Sequence, residues 1–236
     1  MSKSTIQYHV QGLGEPIILL HGWGGSSKSL ENLQIQLSKN FQAITLDLPG
    51  FGNSPEPETI YGIKDYAQEI IQITQDLGLK EFHLFGHSFG GQVATQMVLD
   101  YPDKVKTLIL CDAAVIRRKT ISTKVLIKIS KFIKSPGLSS FLKIIFRHSD
   151  YQKASPKMKQ IMNKILQEDL FPCLQQIYTP TLILWGEKDS YTPVWQAKII
   201  HQNIKGSKLK IFSNLRHGLP LSNPEDVAKE IKEFIK

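Results

Sequence analysis

The 236-residue sequence has few of the features that define disulfide-bonded or membrane-spanning proteins. Its two cysteines, Cys111 and Cys173, lie far apart and form no C-x-x-C motif, so they offer neither a disulfide framework nor a zinc site. The longest purely aliphatic run, residues 17–20, has four residues, whereas a bilayer span needs about 20. Because the first residues lack the apolar stretch of a signal peptide, we expect a cytoplasmic protein.

Motifs for metals and nucleotides are also missing. The sequence contains no acidic cluster and no Cys/His set with the spacing of metal ligands. It has no P-loop, and Ser27 breaks the G-x-G-x-x-G pattern that begins at Gly22. We therefore predict no cofactor and no metal, so that side chains alone perform the chemistry.

Positive charge is concentrated in one segment. The formal net charge is +8, but residues 113–172 contain 13 Lys and Arg against 3 Asp and Glu, which leaves the rest slightly acidic. No zinc-finger spacing, recognition-helix signature or aromatic-interleaved pattern accompanies this charge. We therefore do not expect a nucleic acid partner, although a membrane surface or an acidic carrier protein remains possible.

Short apolar runs alternate with amphipathic helical patterns along most of the chain. The predicted strands are residues 7–10, 17–20, 41–46, 82–85, 107–111, 181–185 and 209–212. The predicted helices are residues 29–37, 63–77, 89–101, 193–201 and 224–235. The glycines of residues 12–15 predict a hairpin between the first two strands. This alternation predicts an α/β fold with a mostly parallel sheet and helices on both faces.

The alternation is interrupted between residues 113 and 180. Apolar residues recur there at helical spacing, with lysines on the opposite side: Ile121, Val125, Ile129 and Phe132. Residues 138–146 and 157–166 predict two more helices. We predict a core formed by residues 1–112 and 181–236, with residues 113–180 inserted as a helical cap whose four apolar residues line a pocket.

The sequence GHSFG at residues 86–90 matches G-x-S-x-G. It follows an apolar strand and begins a helix, which is the context that the motif requires. A serine hydroxyl is a weak nucleophile and must be held exposed at a tight turn, where glycines let the backbone pass closely. Ser88 is therefore the candidate nucleophile, and the Phe89 amide at the helix N-terminus is a candidate oxyanion donor.

A second glycine-rich turn, HGWGG at residues 21–25, follows the second strand. Such a turn can present a second backbone N–H to an oxyanion, and Trp23 is the candidate. The Trp23 indole and His87, the neighbour of Ser88, are further candidates for the pocket wall.

A general base and an orienting acid are then required. Of the seven histidines, His217 lies in a loop just after the last strand, where an α/β sheet collects its site residues. Asp189 follows the sixth strand and precedes His217 in the order Ser, Asp, His, which makes it the candidate acid. Glu187 and Asp112 are the alternatives, with a turn-forming role for Glu187 and a loop or cap contact for Asp112 as their simpler interpretations.

These motifs, together with residues 47–54 and 185–189, resemble the α/β-hydrolase superfamily over almost the whole chain. The closest resemblance is to its serine-nucleophile, carboxylesterase-like branch with a helical cap. The resemblance implies a triad of Ser88, Asp189 and His217, with the Trp23 and Phe89 amides as oxyanion donors. A serine at position 88 disfavours dehalogenases and epoxide hydrolases of this fold, which use aspartate there. The few acidic residues of the cap disfavour enzymes that bind a substrate ammonium group.

The expected activity is hydrolysis of small carboxylic esters with short to medium acyl chains. The alternatives are a carbon–carbon bond hydrolase or menaquinone-pathway-type lyase acting on a carboxylated substrate, and a hydrolase of esters or thioesters linked to acyl-carrier protein. A non-catalytic receptor on the same fold also remains open. The basic cap could roof the pocket, bind anionic membrane, or bind an acidic carrier or anionic substrate through Arg117, Arg118 and Arg147.

Overall fold

The computed structural model describes residues 6–117 and 154–236. Seven strands form one sheet in the order β1-β3-β2-β4-β5-β6-β7. They are β1 (Tyr8–Gln11), β2 (Pro16–Leu20), β3 (Gln42–Leu46), β4 (Phe82–His87), β5 (Val105–Cys111), β6 (Thr181–Gly186) and β7 (Lys208–Phe212). All pairs are parallel except β1 with β3. The predicted α/β class with a mostly parallel sheet is confirmed.

The predicted hairpin between the first two strands is wrong. Strand β1 pairs antiparallel with β3, and β3 lies between β1 and β2. The apolar residues 17–20 of β2 are fully buried between two parallel neighbours, whereas all four residues of β1 are exposed at the edge of the sheet. Burial of β2 on both faces removes more apolar surface from water than a local hairpin could, and this decides the pairing.

Helices cover both faces of the sheet. They are α1 (Glu31–Leu37), α2 (Ile63–Asp76), α3 (Phe89–Asp100), α4 (Pro156–Ile165), α5 (Trp195–Asn203), α6 (Leu219–Ser222) and α7 (Pro224–Ile235). Successive residues of β2 point to opposite faces. Ile17 and Leu19 pack in the cluster that contains residues of α1 and α7, and Ile18 and Leu20 pack in the cluster of α2, α3 and α5.

Most of the predicted cap lies outside the described residues. This applies to Ile121, Val125, Ile129, Phe132 and the helix predicted at residues 138–146. Helix α4 confirms the helix predicted at residues 157–166, and Met158, Ile161 and Ile165 on its buried face join the core. The division into core and cap stays a prediction. Within residues 6–117 and 154–236, every helix is too short or too polar to span a bilayer.

Parallel pairing places the carboxyl ends of β2 to β7 at one edge of the sheet. The loops that follow β2, β4, β5, β6 and β7 contain the motifs identified in the sequence. Because these loops leave neighbouring strands at the same edge, residues distant in sequence meet there.

Candidate active site

Ser88 occupies a strained turn between β4 and α3. Its backbone has φ 52° and ψ −113°, which places a non-glycine residue at positive φ. A side chain at Gly86 would overlap the backbone of Gly90, and one at Gly90 would overlap the carbonyl of Leu20, so only glycine fits at either position. The Ser88 N–H donates to the Cys111 carbonyl oxygen at 3.0 Å. The backbone is thus held, while the Ser88 hydroxyl forms no hydrogen bond to a described residue.

The turn at residues 21–25 lies directly beside Ser88. A Cβ on Gly22 would stand 3.2 Å from the Ser88 Cβ, so this approach also depends on glycine. The Trp23 ring contacts the Phe89 ring edge-on, with centroids 5.3 Å apart. Among residues 6–117 and 154–236, neither the Trp23 nor the Phe89 amide N–H has a hydrogen-bond acceptor. Both amides are therefore available to a ligand.

Two buried polar side chains, those of His21 and Asp47, hold in place the turn at residues 21–25 and the loop that follows β3. The His21 Nδ1–H donates to the Gly22 carbonyl oxygen at 2.7 Å, and its Nε2 accepts the Leu48 N–H at 3.1 Å. Burial lowers the pKa of His21 to about 4, which keeps the ring neutral and its Nε2 able to accept. The Asp47 carboxylate accepts the N–H groups of Ser27 at 2.6 Å and Asn53 at 2.8 Å. The sequence analysis assigned no role to either side chain, although each directly follows a predicted strand.

Asp189 and His217 form a direct hydrogen bond. The His217 Nδ1–H donates to Asp189 Oδ2 at 2.7 Å, and the Asp189 carboxylate is fully buried. The other carboxylate oxygen, Oδ1, accepts the amides of Tyr191 at 2.7 Å and Thr192 at 2.9 Å. Since Nδ1 carries the proton, Nε2 of the neutral imidazole is left as the acceptor.

The structure shows no hydrogen bond between the Ser88 hydroxyl and His217, although both residues line the same cavity. Contacts of this kind often close only when substrate is bound.

Thr192 contributes a contact that the sequence analysis did not anticipate. Its hydroxyl donates to Asp189 Oδ2 at 2.6 Å, on the same oxygen that accepts from His217. Its carbonyl oxygen accepts from the indole of Trp185 at 2.7 Å. The only signal in the sequence was its position between Asp189 and the proline that precedes α5.

The two alternative acids hold loops instead of contacting His217. The buried Asp112 carboxylate accepts the amides of Gly186 at 2.9 Å, Gly218 at 3.0 Å and Leu219 at 3.2 Å. Burial raises the pKa of Asp112 to about 6, against the opposing effect of these bonds and of His217. Glu187 accepts the Asn214 N–H at 2.9 Å on the exposed side of its loop. Of the three acids, Asp189 alone lies within hydrogen-bond distance of His217.

His87 is buried in the wall of the same cavity as Ser88 and His217. Its ring centroid is 5.0 Å from that of His217, and its buried Nε2 has no hydrogen-bond partner in the part of the chain that the structure describes. Burial lowers its pKa well below the ordinary value, so the ring is neutral.

His87, Asp112 and His217 offer potential metal-ligand atoms within 4.8 Å of one another. However, both Asp112 oxygens already accept backbone amides, and His217 Nδ1 is bonded to Asp189. Such a set leaves few free ligand atoms for a cation, and the absence of a metal stays a prediction.

A cavity of about 370 Å³ opens in front of these groups. Its described lining residues are Gly22, Trp23, His87, Ser88, Phe89, Ala114, Arg117, Met162, Ile165, Leu166, Tyr191, Thr192 and His217. The wall is mainly apolar and contains three of the predicted pocket or oxyanion residues, Trp23, His87 and Phe89. A more open cleft of about 700 Å³ lies beside β1 and α1 and contains none of the candidate site residues. We therefore place the site in the smaller cavity.

The chain is similar to proteins of known family. Residues 15–131 match the family model described as alpha/beta hydrolase fold. An AB hydrolase superfamily protein of Bacillus subtilis, YisY, is 30% identical over 94% of this chain and 92% of the relative. A pimeloyl-[acyl-carrier protein] methyl ester esterase of Neisseria meningitidis is 27% identical over 93% of both chains. The solved structure of an esterase from Exiguobacterium antarcticum superposes with a TM-score of 0.79 at 28% identity, over 98% of this chain and 95% of that one.

Proposed function

Because the chain belongs to the alpha/beta hydrolase fold family, we propose that it hydrolyses carboxylic esters through an acyl-enzyme formed on Ser88. The observation that carries this proposal is the Asp189–His217 hydrogen bond, since His217 lines the same cavity as Ser88, whose hydroxyl bonds to no described residue. A nucleophile, a base and an acid that orients the base are the parts that acyl transfer requires. The cavity volume suits small esters with short to medium acyl chains.

In the proposed first step, the Ser88 Oγ attacks the ester carbonyl carbon and His217 Nε2 takes the hydroxyl proton. The tetrahedral oxyanion accepts hydrogen bonds from the Trp23 and Phe89 amides. Each such donor is worth roughly 3 kcal/mol at the transition state. Collapse of the intermediate breaks the bond to the alcohol oxygen, which receives the proton from His217 and leaves.

In the second step, water replaces the alcohol. His217 takes a proton from water, the hydroxide adds to the acyl carbon, and collapse releases the carboxylic acid while the proton returns to Ser88. Asp189 keeps the proton of His217 on Nδ1 and stabilises the imidazolium that forms in both steps. Thr192 fixes the Asp189 carboxylate through its hydroxyl and its amide.

A second candidate is the hydrolysis of esters or thioesters linked to an acyl-carrier protein. One relative is named as an esterase of an acyl-carrier-protein-linked methyl ester, and an acidic carrier protein is a partner that a basic surface can bind. The 13 basic residues of residues 113–172 would complement such a partner.

Hydrolysis of p-nitrophenyl esters from acetate to laurate by the wild type and Ser88→Ala tests the proposal. We expect Ser88→Ala to fold normally and to lose turnover by roughly 10³-fold or more. The matched control, Ser213→Ala, removes an exposed hydroxyl and keeps the wild-type rate. Wild-type turnover by Ser88→Ala would show that another group performs the reaction. The preferred chain length separates small esters from long acyl substrates.

A further inference from the structure

Arg117 lies in the wall of the cavity that contains Ser88 and His217. One guanidinium nitrogen, Nη2, donates to Gln92 Oε1 at 2.9 Å. Gln92 is fully buried in α3, and its own Nε2 donates to the Glu168 carbonyl oxygen at 2.8 Å. The guanidinium is therefore held by a neutral amide that is itself fixed by the backbone.

No carboxylate forms an ion pair with this guanidinium within residues 6–117 and 154–236. The Oδ1 of Asp169 accepts hydrogen bonds from the backbone amides of Arg117 and Phe171, each at 3.1 Å. Asp169 forms no ion pair with the Arg117 side chain. The Nε of Arg117 is buried and has no hydrogen-bond acceptor among the described residues. A buried guanidinium N–H normally has an acceptor, so the missing acceptor on a residue that lines the cavity indicates a place for a ligand.

The described lining of the cavity contains no aspartate or glutamate, so Arg117 is its one permanently charged residue. Burial lowers the pKa of Arg117 to about 10, although Asp169 opposes the shift, and the side chain stays protonated at neutral pH. The remaining wall near it is apolar and includes Met162, Ile165 and Leu166 of the α4 region. A positive charge in a mainly apolar wall attracts an anion more strongly than a fully exposed charge does, because its surroundings screen it less.

We propose that Arg117 binds a free carboxylate of the substrate, so that the cavity selects esters that carry a second, ionised carboxyl group. This inference rests on the proposed function, since it places the ester at Ser88 and the carboxylate at Arg117 within one cavity. A guanidinium offers a carboxylate paired N–H donors, and a lysine would offer only a point charge. The acyl part or the alcohol part of the ester can contain the carboxylate.

Turnover of matched ester pairs tests the inference and identifies the side that contains the carboxylate. Mono-p-nitrophenyl glutarate is compared with p-nitrophenyl valerate for the acyl side, and 4-acetoxybenzoate with 4-methylphenyl acetate for the alcohol side. In one of the two pairs we expect the wild type to prefer the anionic ester by kcat/KM. Arg117→Gln should reduce that preference by roughly tenfold to a hundredfold, and Arg117→Lys should retain part of it.

The matched control is Lys198→Gln, which removes an exposed positive charge from α5. We expect it to leave both rates unchanged, so that a general effect of net charge is distinguished from a contact in the cavity. An equal loss on the anionic and neutral esters in Arg117→Gln, or a wild type without preference in either pair, would overturn the inference.

Binding separates the failure of this inference from the failure of the proposed function. We expect calorimetry to show that monomethyl glutarate or 4-acetoxybenzoate binds to Ser88→Ala and at least tenfold more weakly to Ser88→Ala/Arg117→Gln. Arg117-dependent binding without Ser88-dependent turnover would leave the carboxylate site standing and reject the esterase. Ser88-dependent turnover of neutral esters with no Arg117-dependent binding would support the esterase and reject the carboxylate site. Circular dichroism of each variant confirms that it is folded.

Discussion

Two groups of polar side chains stand at the carboxyl edge of the sheet, and they differ in how fully they are hydrogen-bonded. The anchoring group, His21, Asp47 and Asp112, is buried, and each member bonds to backbone atoms of the loops around it. The cavity group, Ser88 and Arg117, lines the cavity, and each member keeps a polar atom without a partner among the described residues.

The difference separates stability from function in side chains that look alike in the sequence. A buried polar group that is fully bonded rigidifies the loops it joins, and its removal leaves several backbone groups unpaired. A group with an unpaired atom beside a cavity gives little stability and is available to a ligand. Substitutions in the anchoring group should therefore lower the free energy of unfolding, and substitutions in the cavity group should lower turnover.

Asp189 is fully bonded like the anchoring group but also orients His217, which lines the cavity, so Asp189→Asn is the most severe test of the comparison. We expect kcat/KM to fall by roughly 10³ to 10⁴-fold, because an asparagine does not hold the His217 proton on Nδ1. The free energy of unfolding should change little, since an amide oxygen can still accept from Tyr191 and Thr192. Ester kinetics and urea unfolding measure the two effects. The control is Glu187→Gln in the same loop, and an equal loss of activity there would transfer the role of the acid to Glu187.

Asp112→Ala tests the anchoring group directly. Three backbone amides, those of Gly186, Gly218 and Leu219, lose their acceptor. We expect the free energy of unfolding to fall by about 3 kcal/mol, because each unpaired buried donor is costly. Urea denaturation measures the change, with Asp103→Ala as the control at an exposed position. If Asp112→Ala lost turnover while its free energy of unfolding stayed unchanged, Asp112 would have a functional role and not an anchoring one.

His21 makes the stability of the anchoring group depend on pH. Because burial lowers its pKa from 6.5 to about 4, the unfolded chain takes up the proton first as the pH falls. Its contribution is complete above pH 6.5 and is lost as the pH approaches 4, about 2 kcal/mol of it between pH 8 and pH 5. Urea unfolding at both pH values should show a smaller decrease in His21→Gln than in the wild type. The control is His9→Gln in the exposed edge strand, which should show the same decrease in the free energy of unfolding as the wild type. If His21→Gln also shows that decrease, a group other than His21 causes the pH dependence.

Thr192→Val should give the smallest free-energy effect of these variants, here on kcat. It tests whether the Thr192 contact with Asp189 contributes to turnover or only to the structure of the loop. Valine preserves the shape of the side chain and removes the hydroxyl that donates to Asp189 Oδ2 at 2.6 Å. We expect kcat to fall about fivefold to tenfold, which corresponds to about 1 to 1.4 kcal/mol, the size of one typical hydrogen bond. Thr59→Val, at an exposed position, is the control for ester kinetics. An unchanged kcat would restrict Thr192 to a structural role.

The pattern of apolar residues predicted the elements well because it is local. The helix at residues 224–235 agrees with α7 at both ends, and each of the seven predicted strands has its counterpart. The hairpin prediction failed because β3, not β1, lies beside β2, and β1 pairs with β3 instead. Which strand pairs with β2 depends on the whole sheet and not on the residues between β1 and β2. The boundaries of the cap and the roles of Ile121, Val125, Ile129 and Phe132 remain predictions.

By itself, the sequence determined the α/β class and the candidates Ser88, Asp189 and His217, because periodicity and the G-x-S-x-G turn are local properties. Only the tertiary structure decided which acid contacts His217, since Asp189, Asp112 and Glu187 all follow strands in the same way. It also decided that Thr192 bonds to Asp189 and that Arg117 lies in the cavity wall with its Nε unbonded among the described residues. Hydrogen-bond partners from distant loops are fixed only when parallel strands bring their carboxyl ends to one edge, and no local pattern encodes that meeting.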